Sequence, residues 1–75
     1  MSKQERLIEY ITQEIVAYIM TDETVDIDEA MKALYNSAVY EKLADTETGL
    51  YLESSAYVYE LLKDEIANGK IICEQ

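Results

Sequence analysis

The stretch Leu7-Ile8-Glu9-Tyr10-Ile11-Thr12-Gln13-Glu14-Ile15-Val16-Ala17-Tyr18-Ile19-Met20 decides the fold. Its isoleucines at 8, 11, 15 and 19 are spaced i, i+3, i+7 and i+11, which places them on one stripe of a helix. β-branched residues also suit strands, but the period here is 3.6 and not 2. A first helix from about Lys3 to Met20 follows. Leu7 and Tyr18 flank its stripe, while Tyr10 and Ala17 lie on the opposite side.

Working outward, Thr21 to Val25 is polar and acidic and reads as a loop. Asp26 is placed to cap a second helix, with Glu29 three residues on completing a capping box. Ile27, Ala30, Met31 and Leu34 share a face of that helix, with Tyr35 beside it. Asn36-Ser37 marks a break, because both side chains compete for nearby backbone groups. A short helix from Ser37 to Ala44 would then present Val39, Tyr40 and Leu43. Asp45-Thr46-Glu47-Thr48-Gly49 is the clearest loop, and Leu50-Tyr51-Leu52 reads as a brief extended anchor with both leucines buried. Ser54 caps the last helix, which stops at Asn68-Gly69. The apolar Lys70-Ile71-Ile72-Cys73 is expected to fold back on the core.

The last helix has two apolar sides. Ser55, Tyr59, Leu62 and Ile66 share one face with Val58 at its edge, whereas Tyr57 and Leu61 point nearly the opposite way. Such a helix has to be sandwiched, either within one chain or between two. The expected fold class is all-α: a small helical bundle of three main helices plus one short helix, closed by its own helices or by dimerisation.

Composition narrows the function. The 75 residues suffice for one domain, which at this size buries only about 60% of its unfolded surface. All seven aromatic residues are tyrosines, side chains suited to half-buried positions and interfaces. The formal charge is −10, and each half of the chain carries eight acids and three bases. Without clustered Lys and Arg, direct nucleic-acid binding is not expected. Glu9, Thr12, Gln13 and Glu14 interrupt the first apolar segment, so neither a signal peptide nor a membrane span is expected. The lone Cys73 cannot form an internal disulfide or a multi-cysteine metal site. Taken together these features predict a soluble, cytoplasmic protein.

Catalysis has little to work with. No histidine is present to serve as general base or metal ligand. The run from Asp22 to Glu29 faintly resembles a calcium loop, but Ile27 and Ala33 stand where glycine and glutamate are required. The two glycines are twenty positions apart, too far for a phosphate-cradling loop. No enzyme activity, metal or cofactor is expected.

The second half carries a resemblance. Tyr35-Asn36-Ser37, Tyr40-Glu41-Lys42-Leu43, Asp45, Glu47-Thr48-Gly49-Leu50-Tyr51, Ser54, Tyr57-Val58-Tyr59 and Glu65 together resemble the pattern of a family of very small uncharacterised prokaryotic proteins. The likeness spans roughly residues 7–66, with Ser55 standing where the family's pattern leads one to expect proline. It implies a helical fold and no established activity. Neighbouring toxin-like genes in such families imply an antitoxin or accessory role.

The function expected from the residues is an acidic interaction protein that binds another protein, or a second copy of itself, through a tyrosine-rich apolar patch. The candidate contact residues are Tyr10, Tyr51, Tyr57 and Leu61. Tyr10 and Tyr57 fall off the core stripes, Leu61 accompanies Tyr57, and Tyr51 belongs to the loop anchor. The alternative is an antitoxin-like acidic inhibitor that neutralises a basic toxin or mimics nucleic acid. That reading requires carboxylates gathered on one side, whereas helical spacing is expected to spread them.

Overall fold

The computed structural model describes residues 2–68. They form α1 (Lys3–Glu23), α2 (Ile27–Tyr35), α3 (Ala38–Ala44), two 3₁₀ turns (Thr46–Thr48 and Leu50–Leu52) and α4 (Ser55–Ala67). The chain is all-α, with no strand among the described residues. The expectation that Lys70 to Cys73 folds back concerns residues outside the described ones.

Each helix begins on a side chain that satisfies its free amides. Ser2 caps α1 in a full capping box: its hydroxyl accepts from the Glu5 amide at 3.1 Å, and its own amide donates to Glu5 Oε1 at 3.0 Å. At α2 only half of the expected box forms, with Asp26 accepting from the Glu29 amide at 2.9 Å. Ser54 caps α4 by accepting from the Tyr57 amide at 3.1 Å, and Asn68 closes its far end.

The start of α3 is built from two parts of the chain. Ser37 accepts from the Tyr40 amide at 3.0 Å and donates to the Leu34 carbonyl, so its buried hydroxyl is fully used. Glu65, near the end of α4, accepts from the amides of Ala38 at 2.9 Å and Val39 at 3.0 Å. One carboxylate thus joins α4 to α3 at the positive end of the α3 dipole.

Two expectations about the connections need correction. Thr21-Asp22-Glu23 continues α1 instead of forming a loop; its polarity reflects exposure, and nothing in it breaks a helix. The helix stops at Thr24, whose φ of 56° is left-handed. Leu50-Tyr51-Leu52 is a 3₁₀ turn and not extended, with Leu52 donating to the Gly49 carbonyl and Glu53 to that of Leu50, both at 3.0 Å. An extended segment would place residues 50 and 52 on one face, whereas three residues per turn separates them. Leu50 is half-buried and Leu52 is 69% exposed.

The two left-handed residues predict opposite mutational signs. Gly49 has φ 72°, and a Cβ built there meets nothing within 4 Å, so Gly49→Ala should cost about 1 kcal/mol from backbone strain alone. Thr24→Gly relieves the same strain at a β-branched residue and should leave stability unchanged or raise it by up to about 1 kcal/mol. Urea titration of both variants checks the pair.

The core is one cluster centred on Ile15, Leu34, Leu43, Val58 and Leu62, all fully buried. Ile11 and Ile19 extend it along α1, as their spacing requires. Two residues expected on core faces are exposed: Ile27 (53%), at the very start of α2, and Ile66 (59%), near the end of α4. The dimensions, 31 × 31 × 18 Å, allow about two helix layers in the thin direction. α1 packs against α2, against α4 and against the Leu50–Leu52 turn, and α3 packs on α2 and α4. α2 and α4 both lie on α1 and scarcely touch one another.

Candidate functional site

Because α2 and α4 rest on α1 without closing on each other, a groove of about 610 Å³ lies between them. Its base is formed by Ile19 of α1 and Tyr59 of α4, both buried. Ala33 of α2 and Ile66 of α4 form its sides, and Val25 of the α1–α2 connection joins the lining. The volume falls within the usual range for ligand pockets, and the lining is mostly apolar.

Among the described residues, three charged ones border this apolar surface: Glu23, Glu29 and Lys63. Lys63 is already engaged, with its ammonium 3.1 Å from Glu60 and 5.0 Å above the Tyr59 ring. Glu23 and Glu29 belong to a run in which Asp22, Glu23, Asp26, Asp28 and Glu29 are all exposed. The tight α1–α2 connection brings two of these five acids, Glu23 and Glu29, to the groove lining.

Tyr59 organises the base of the groove. Its hydroxyl donates to Asp22 Oδ2 at 2.7 Å, and its ring lies 5.1 Å from that of Tyr18. Burial raises the Tyr59 pKa above that of a free phenol, as do the hydrogen bond to Asp22 and the charges of Asp22, Glu23 and Glu60. A phenol so held keeps its proton and acts as a donor and anchor. It is poorly suited to acid–base work near neutrality. The folded state therefore retains a proton that the unfolded chain loses near pH 10, so this contribution is complete below that pH and declines above it. Tyr59→Phe should lower stability by about 1 kcal/mol at pH 7 and flatten the loss on titrating upward through pH 10. Thermal melts at several pH values read both effects.

The four candidate contact residues are not part of this groove. Tyr10 lies on the outer side of α1 at 60% exposure, and Tyr57 is on α4 at 49%. Tyr51 is half-buried against the core. Leu61 is also half-buried and packed on the core, on the flank of α4 from which Glu65, one turn later, reaches α3. Leu61 is thus packed on the core from within the chain, while Tyr57 stays exposed. The groove residues missed in the sequence are Val25, Ala33 and Ile66. Ile66 had a signal, since it falls on the core stripe of α4 just beyond the last buried residue of that stripe, Leu62.

Among the described residues no group of three or more Cys, Asp or Glu side chains converges as metal ligands would. No described helix is long and apolar enough to cross a membrane. Compared with protein-family models, with curated proteins and with solved structures, the chain matches none.

Proposed function

We propose that this protein is a binding module that receives an apolar helical segment of another protein in the groove between α2 and α4. The observation that carries the reading is the space that the described residues leave open over Ile19 and Tyr59, flanked by an isoleucine, Ile66, left 59% exposed. A helix laid between α2 and α4 would cover Ile66 and the surface over Ile19 that those helices leave open, which is the helix-in-groove mode of recognition. Burial of Ile66 and its surroundings supplies the apolar contribution to affinity, opposed by the entropy of ordering the partner.

A bundle closed within one chain fits this reading better than a homodimer. Glu65 and Leu61 tie α3 to α4 internally, and two copies each carrying a charge of −10 repel one another. Tyr10 and Tyr57 remain exposed rings outside the groove, with no binding role in this account.

Site-specific photo-crosslinking in the source cells tests the proposal. A photoreactive residue at Ala33 should give a covalent adduct with one protein, and Ile66→Asp should abolish it. The same residue at Glu9, on the exposed part of α1, should give none. Adducts from Glu9 or Tyr57 but not from Ala33 would place binding elsewhere and overturn the reading.

A further inference from the structure

We infer that the groove selects a basic amphipathic helix: a partner segment with apolar anchors for Ile19 and Ile66 and with Lys or Arg flanks that meet Glu23 and the acids around it. This inference rests on the groove being the binding site and adds the chemistry of its occupant.

The charges around the groove are unbalanced. Of the three charged residues bordering it among the described residues, the one cation, Lys63, is held by Glu60 and by the Tyr59 ring, leaving Glu23 and Glu29 exposed. The exposed acids Asp22, Asp26 and Asp28 adjoin them. Eight consecutive residues, 22–29, therefore contain five acids and no base.

The position of two of these acids is unfavourable in the free protein. Asp22 and Glu23 occupy the last turn of α1, where the helix dipole is negative and where no basic residue is present. Carboxylates there are destabilising and cations stabilising. Asp22 is relieved by the Tyr59 hydroxyl, but no hydrogen bond or ion pair among the described residues engages the Glu23 side chain. Residues that violate a local rule without internal compensation tend to be the functional ones. A partner cation beside Glu23 would meet both the carboxylate and the negative end of α1. An acidic or neutral helix would meet neither.

The same geometry explains why the occupant is a basic helix and not a nucleic acid. The groove offers apolar surface and carboxylates; a phosphate backbone would be repelled by the carboxylates and find no cation to pair with on the apolar surface.

The test uses two synthetic amphipathic peptides of about 15 residues, near the length at which isolated helices become marginally stable. Both carry leucines at i, i+3, i+4 and i+7. One has lysine flanks and the other has glutamate flanks. Fluorescence anisotropy with the full chain should show the lysine peptide binding at least about tenfold more tightly. That preference should shrink as ionic strength rises from about 0.01 M to about 0.15 M, which shortens the Debye length from about 30 Å to about 8 Å. Glu23→Lys should weaken lysine-peptide binding roughly tenfold while raising the Tm of the free protein by a few degrees, since it corrects the α1 terminus. Glu9→Lys makes the same change in net charge elsewhere on α1 and should alter binding little.

Equal binding of the two peptides, abolished by Ile66→Asp, would overturn the basic preference and leave the groove as the site. Equal weakening by Glu23→Lys and Glu9→Lys would reduce the preference to net charge and likewise overturn it. Binding of neither peptide would overturn both readings. Should the full-length Ile71→Asp, Ile72→Asp variant bind where the unaltered chain does not, the occupant is this chain's own C-terminal segment, and the inference fails.

Discussion

Leu61→Glu is expected to destabilise the protein by about 2–3 kcal/mol, whereas Tyr57→Asp, four residues earlier on the same helix, should change stability by less than about 0.5 kcal/mol. Leu61 is half-buried on the core, in the flank of α4 that faces α3. A carboxylate placed there loses water and finds other acids close by, since Glu65 lies one turn further on. Tyr57 is 49% exposed, and only its amide has a structural role, as the donor to Ser54. For a chain of 75 residues whose total stability is on the order of 4–11 kcal/mol, the first change removes a large share and the second almost none. Urea denaturation measures both. If the two variants proved equally stable, Leu61 would belong to an outer surface, and α4 would still need a partner on that side.

Glu65→Ala is the second large effect, at about 2 kcal/mol, or a Tm lower by roughly 10 °C. The substitution removes both acceptors that hold the Ala38 and Val39 amides at 2.9 and 3.0 Å. Each is a charge-assisted bond, among the stronger kinds, reduced here because the Ala38 contact is exposed to water. Glu65→Gln keeps one oxygen acceptor without the charge and should lose about half as much. A local readout distinguishes this from general loosening: hydrogen exchange should accelerate most at Ala38 and Val39, while the amides of Ile15 and Ile19 follow global unfolding. Unchanged exchange at residues 38 and 39 would show that water replaces the carboxylate without cost.

These roles explain why the helices of this chain were legible and its site was not. Helix positions follow from local rules. The isoleucine stripe of α1, the caps at Asp26 and Ser54, the break at Asn36-Ser37 and the stop at Asn68 depend on neighbours within a few residues. Several residues of the second half are of this sort: Ser37 caps α3, Gly49 supplies a left-handed turn, Ser54 caps α4, and Val58 and Tyr59 are core. Glu65 carries no local signal of its role, because its partners at Ala38 and Val39 are 27 and 26 residues away.

The groove has the same non-local origin. It depends on α2 and α4 sharing α1 while remaining apart, and no spacing within a helix encodes that distance. Tyr57 and Leu61 seemed equivalent because they share the off-stripe side of α4. Only the placement of α3 separates them. The acids of residues 22–29 appeared evenly distributed when counted by halves of the chain. The extra turn of α1 and the three-residue connection to α2 bring two of them, Glu23 and Glu29, to the groove.

Backbone amide chemical-shift mapping of the lysine-flanked peptide on the isotopically labelled full chain tests the central claim most directly. Binding in the groove predicts that the largest shifts fall on Ile19, Glu23, Val25, Ala33 and Ile66, with Tyr10 and Tyr57 little affected. Shifts concentrated at Tyr10 and Tyr57, with Ala33 and Ile66 silent, would contradict the account and place binding on the outward-facing tyrosines.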